Sequence, residues 1–262
     1  MYLTLLNTHP ADAGATRAWL HDGLVALGHQ VHLADHPDLE ARDAAGLGYA
    51  LADSWAGSAP DALIALGWVA GLTAQVATRE HPTTVMLRLA RPGRSGNPAV
   101  IRVERALVRS GATVLASSPS EAEALAMLGA PRSRVRVLPE AVDCARITET
   151  PGGEQPTEVV VASDDSPADV AAVLEGMAAG RPAVVRDVGV LGDLVADGVT
   201  GVVVPAHDDP RVAARALQAD PMRREAMGMA AADRARACFD TSVAVPMLGR
   251  LLAEVRPGAM VA

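Results

Sequence analysis

The chain has 262 residues, half of them hydrophobic, a formal net charge of −8 and a sequence pI of about 5.3. That is enough for one large core or two modest ones, and it lacks the basic surplus that carries nucleic-acid affinity. All 23 residues counted as Lys and Arg are arginines, which excludes a Schiff-base lysine, a Walker-type phosphate loop and an SxxK nucleophile.

Cys144 and Cys238 are the two cysteines, too few for a disulfide framework or a Cys-based zinc site, as expected of inert thiols in a reducing compartment. MYLTLLNTHPADAG, at the start, has no basic n-region, and no apolar run approaches the roughly 18 residues of a membrane span. The expectation is a soluble, cytoplasmic protein without a membrane span.

Along the chain, short apolar runs rich in strand formers alternate with segments whose apolar residues recur every three or four positions. YLTLLN, QVHLA, ALIAL, TTVMLRL, TVLAS and RVRVLP are the runs of the first part. The alternation predicts βαβ units on a parallel sheet. Asp12 or Gly14 opens the first helix and Gly28 stops it. Ser118-Pro119-Ser120-Glu121 reads as an N-cap, an N1 proline and a capping-box acid.

ITETPGGEQPTE, rich in Pro, Gly and Glu, reads as a linker over 146–157 between a first domain at 1–145 and a second at 158–262. The second domain is predicted to hold strand EVVVAS, a helix from about Ala168 to Ala179, strand PAVVR, a short helix around Asp193 to Ala196, and strand GVVVP. Helices from about Pro210, Pro221 and Thr241 complete it. Three strands make about half of an ordinary doubly wound domain.

DAGATRAWLHDGLVALGHQVHLAD, ALGWVAGLTAQVA, the stretch from Val103 to Asp143, and LEGMAAGRPAVVRDVGVLGDLVADGVTG occur in that order. Together they resemble the actinobacterial family 4 glycosyltransferases. The resemblance implies an α/β fold of two Rossmann-like domains of GT-B type, the second shortened here. It implies glycosyl transfer, of hexosyltransferase type, from a nucleotide-diphosphate sugar to a small-molecule acceptor with retention, with the nucleotide sugar as co-substrate and no other cofactor.

In that family a glutamate late in a second-domain helix holds the ribose, and Glu175 occupies its position. The acid eight places earlier, which touches the sugar, falls on Pro167, and a one-residue shift makes Asp165 its replacement. The resemblance places Gly189, Val190 and Leu191 in the turn that faces the nucleotide sugar, and Asp193 where the family has a glutamate. Gly14 keeps one of two paired glycines in the first loop, and Arg88 stands in place of a histidine after the fourth strand. The family's Arg/Lys phosphate clamp has no counterpart between Asp143 and Glu158; Arg88, Arg91 or Arg94 would have to supply the charge.

Beside these roles stand plainer ones. Ser166, Pro167 and Asp169 form a strong helix start, and the acids Asp164, Asp165 and Asp169 are a capped surface turn more often than a divalent-ion site. Glu175 falls off the apolar stripe Val170, Val173, Leu174, Met177 and Ala178, as any solvated residue would. His29, His32 and His36 straddle a helix stop and a strand and read as ordinary polar residues. With the clamp missing, the alternative is an inactive homologue that binds a sugar nucleotide or serves as the partner subunit of an active transferase, with a homo-oligomer also open.

Overall fold

The central strands form where leucine and valine runs are hidden on both faces, as parallel sheets flanked by helices require, whereas the edge strand Gln30–Asp35 is largely exposed. In a computed structural model, which describes residues 1–8, 10–36, 39–55, 57–81, 83–148 and 158–255, the chain divides into two compact units. The first holds Met1–Leu138 and the chain from Val245 onward; the second holds Pro139–Ala244.

The first unit has six parallel strands: β1 Tyr2–Asn7, β2 Gln30–Asp35, β3 Ala62–Leu66, β4 Thr84–Arg88, β5 Thr113–Ala116 and β6 Val135–Val137. Their order is β2-β1-β3-β4-β5-β6, so the winding reverses between β1 and β3. The helices of this unit are α1 Pro10–Ala26, α2 Ala44–Ser54, α3 Trp68–Ala77, α4 Pro98–Arg109 and α5 Pro119–Leu128. β3 is buried along its whole length, and Leu6, Leu63, Ala70, Ala74, Leu87 and Leu107 belong to the main core between sheet and helices.

Helix α1 begins at Pro10, earlier than the expected Asp12 or Gly14. Proline costs nothing in a first turn, where no intrahelical N–H partner exists. Gly28, at φ 78°, ends the helix region as expected, with its N–H on Val25 O at 2.9 Å and the His29 N–H on Leu24 O at 3.1 Å. Ser118 caps α5 by accepting from Glu121 N at 3.1 Å. The Glu121 carboxylate reaches one residue beyond the expected box, to the amide and hydroxyl of Ser117.

The second unit starts with α6, Cys144–Thr148, so 146–148 are helical and not linker; residues 149–157 of the expected linker lie outside the described residues. Val142, which the sequence reading put in the first domain, makes a parallel bridge with Asp240 and belongs to this unit. Three parallel strands follow in the order β7-β8-β9: β7 Val160–Ala162, β8 Ala183–Arg186 and β9 Gly201–Val204. They alternate with α7 Pro167–Ala178, α8 Leu191–Leu194, α9 Pro210–Gln218 and α10 Pro221–Arg234.

Helix α8 starts two residues ahead of the expected Asp193, because Val190 and Leu191 are pulled into the core. After α10 the backbone widens into a π-helical turn at Ala235–Phe239 before α11, Thr241–Glu254. The final helix returns its later residues to the first unit. Leu248 is fully buried, the Val245 side chain lies against Gly23, and Glu254 pairs with Arg136 at 3.1 Å.

Candidate functional site

Open parallel sheets bind ligands beyond the carboxyl ends of their strands, so the loops after β7 and β8 are where the second unit can act. Ser166 opens α7: its hydroxyl accepts from Asp169 N at 3.2 Å, with Pro167 in the first turn, as the sequence predicts. One carboxylate oxygen of Asp169 then accepts from two loop amides, Ser163 N at 3.3 Å and Asp164 N at 3.1 Å. Those amides lie ahead of the cap, so Asp169 does more than close its own helix. It sets a negative charge on the loop where oriented N–H groups would otherwise meet an anion. Asp165, in the same loop, is buried at 6% exposure.

Behind this loop, Val170, Val173, Leu174, Met177 and Ala178 are all buried and Glu175 is exposed on α7. The stripe thus turns the ribose candidate toward solvent. Beyond β8 the chain turns through Gly189 at φ 50°. Val190 and Leu191 are buried in the core with Phe239 and Ala235, so only their backbones can serve a ligand. Leu191 N is already bonded to Val188 O at 3.2 Å, and Asp193 N to Val190 O at 3.0 Å.

A second acid repeats the pattern at α8. A Cβ built on Gly192 would lie 2.5 Å from Asp187 Oδ1, so the glycine makes room for a carboxylate against the start of that helix. At its other end, Arg234 donates to Leu194 O at 2.8 Å and Asp193 O at 2.9 Å while lying 5.5 Å from the Phe239 ring. That guanidinium satisfies helix-terminal carbonyls. Arg186, which sequence reasoning passed over, ends β8 at the carboxyl edge and donates from Nε to Asp208 O at 2.8 Å. Its place as the last residue of a predicted strand was the signal for it.

In the first unit, the reversal between β1 and β3 brings Asn7, Leu66 and Gly67 to one edge. Asn7 donates to Asp35 at 2.8 Å, and Arg17 pairs with the same carboxylate. Gly67, at φ 91°, begins α3 and donates to Arg88 O at 2.8 Å. Arg88 closes β4 at 5% exposure with Nη1 on Leu138 O at 3.2 Å. Gly14 lies within α1, exposed, with nothing within 4 Å of an added Cβ. The expected first glycine loop is therefore helical here, since Ala15 and its neighbours favour the helix.

Cys144 is buried, and burial, then the bond and charge of Asp240, push its thiol up to about 12. It stays protonated and is no nucleophile. Among the described residues, no group of three or more His, Cys, Asp or Glu is arranged to hold a metal ion, and no helix is long and apolar enough to cross a membrane.

The glycosyl transferase 4-like domain family matches residues 39–141, and the glycosyl transferases group 1 family matches residues 134–219. Between them they cover more than half of the chain. The chain belongs to the family 4 glycosyltransferases of GT-B fold. D-inositol 3-phosphate glycosyltransferase of Kribbella flavida is 48% identical over 65 residues, which are 24% of this chain and 15% of that protein.

The fold agrees. Sucrose-phosphate synthase from Thermosynechococcus elongatus superposes with a TM-score of 0.77 at 15% identity, over 97% of this chain and 98% of that one. Anabaena Alr3699/HepE, solved in complex with UDP-glucose, gives a TM-score of 0.74 at 15% identity, over 97% and 100%. The second unit of this chain holds three parallel strands in the order β7-β8-β9.

Proposed function

We propose that this glycosyltransferase takes a nucleotide-diphosphate sugar on its second unit and transfers the sugar, with retention, to a small-molecule acceptor, slowly as an isolated chain. Glu175 accepts the ribose hydroxyls, and the turn through Gly189, Val190, Leu191 and Asp193 lies beside the sugar and phosphate, with the Leu191 and Asp193 amides already bonded within the turn. The observation that carries the donor reading is Glu175, exposed on a helix whose other face is wholly core. The UDP-glucose complex of HepE supports the donor class.

Slow turnover follows from electrostatics. The bond from the anomeric carbon to the diphosphate oxygen breaks with negative charge gathering on the leaving group, and one well-placed donor is worth about 2.7 to 4 kcal/mol to that step. Here Asp169 occupies two loop amides and Asp187 lies against the start of α8. Arg234 is spent on carbonyls and Arg88 is buried.

The same filled positions favour a second reading, a non-catalytic homologue that binds weakly or stands beside an active transferase. Calorimetry and donor hydrolysis with UDP- and GDP-sugars separate the two. Turnover lost in Glu175→Ala supports the enzyme; no binding by the wild type, together with a stable complex with an active transferase, supports the subunit.

A further inference from the structure

The charge of this acidic chain is unevenly placed. Residues 91–136 carry eight arginines against three carboxylates in a molecule of net charge −8. Of those acids, Glu104 and Glu121 are buried at 2% and 8% exposure, and Glu121 is bonded to Ser117. Glu123 alone of the three is exposed.

Five of these arginines, Arg102, Arg105, Arg109, Arg132 and Arg134, lie on α4 and the turn that follows α5, in the first unit. Arg102, Arg105 and Arg109 follow the i, i+3, i+7 rule along the exposed side of α4, while Leu107 and Val108 are buried on the other. At the end of the stripe the Arg109 guanidinium covers Gly129, which has left-handed φ 104° after α5; a Cβ there would collide with Nε. Arg134 brings Nη1 to 3.6 Å from a Cβ built on Gly111, and the 3-10 turn Arg132–Arg134 is fully exposed. The stripe of α4 thus runs on into that turn.

Elsewhere Arg17, Arg42, Arg136 and Arg236 hold carboxylates. Among the described residues none is ion-paired with Arg102, Arg105, Arg109, Arg132 or Arg134. Beside this cluster stands Met127, two residues before Gly129 and 87% exposed.

We infer that this face docks the protein on an anionic lipid surface, with guanidiniums on headgroup phosphates and Met127 in the acyl boundary. Charge picks an anionic partner. The composition of the face picks the lipid: α4, α5 and the 3-10 turn contain no aromatic residue, so the stacking platforms of nucleic-acid binders and the aromatic anchors of protein hot spots are missing. An exposed unbranched apolar side chain two residues from the glycine that Arg109 covers suits the headgroup boundary.

Flotation of the full chain with vesicles tests this, using phosphatidylcholine alone and phosphatidylcholine containing one third phosphatidylglycerol. The protein should float with the anionic vesicles at low salt, remain below the neutral ones, and be released at about 1 M salt, where screening acts within about 3 Å. Arg102→Gln and Arg105→Gln should each weaken binding roughly five-fold. Met127→Ser should weaken it without altering the salt dependence, and Arg215→Gln, on α9, should change nothing.

These residues are exposed, so unchanged melting temperatures certify folded variants. Equal binding to both vesicle types, no binding to either, or wild-type binding by both arginine variants overturns the proposal. So does retention on RNA or on an acidic protein without vesicle binding. No readout involves a sugar nucleotide, so failure here leaves the donor reading to its own assay.

Discussion

Two buried or half-buried acids give this protein opposite responses to pH. Asp240 loses some stability of its charged form to burial, but the hydroxyl and amide of Ser242 and the groups of Cys144 outweigh that and hold its carboxyl below the usual range. A lowered folded value means that the contribution is complete above about pH 4 and disappears as pH falls through the folded value. Asp240→Ala should cost about 1 kcal/mol at neutral pH, in the range of a helix cap, and should flatten the loss of melting temperature on acidification. Glu104 is raised by burial, against a weaker lowering by the Gly93 amide at 2.9 Å. Its folded form binds a proton more readily than its unfolded form, so its contribution worsens as pH rises through the folded value. Glu104→Gln keeps an acceptor for Gly93 and removes the buried charge. The variant should gain stability relative to wild type at neutral pH, and the gap should close by about pH 4 in urea titrations.

At the scale of single elements, α7 ties together helix formation and ligand chemistry. Asp169 lies in its first turn and bonds the amides of Ser163 and Asp164, so one carboxylate serves the helix and fills the loop. Asp169→Ala should cost roughly 1 kcal/mol through lost dipole and hydrogen-bond terms. If those amides are an anion site, the same variant should bind inorganic pyrophosphate or UDP several-fold more tightly by calorimetry. Lost stability with unchanged anion affinity would show that the amides serve the helix alone. The helix itself was legible: Ser166, Pro167 and the apolar stripe announce its start, its buried face and an exposed Glu175. What Asp169 bonds was not legible, because its partners precede the cap and meet it only when the loop folds back. The burial of Asp165 was hidden for the same reason. Gly14 misled in the other direction, since a glycine suggests a loop but the residues around it suffice for a helix.

Taken whole, the molecule depends on contacts that join the middle of the sequence to its end. Val142 N reaches Phe239 O at 2.9 Å, Thr241 N reaches Val142 O at 3.1 Å and Cys144 N reaches Asp240 Oδ2 at 3.0 Å. No local pattern near Val142 signals these bonds, and the π-helical turn that presents Phe239 and Asp240 has no sequence period of its own. The succession of strands and helices was readable from alternation because each βαβ unit is local; the return of α11 to the first unit was not a local matter. Val245 lies against Gly23 of α1, Gly249 against Leu27 just after that helix, and Thr84 Oγ1 donates to Val255 O at 3.1 Å. The first unit should therefore fail if this late segment is weakened. Leu248 is fully buried, so Leu248→Ala should cost about 2 to 5 kcal/mol by lost burial and cavity formation. Trp19, Trp55 and Trp68 are the three tryptophans and all lie in the first unit. Their fluorescence during urea unfolding thus reads that unit directly: the midpoint should fall in Leu248→Ala, and an unmoved midpoint would show that the first unit stands without α11.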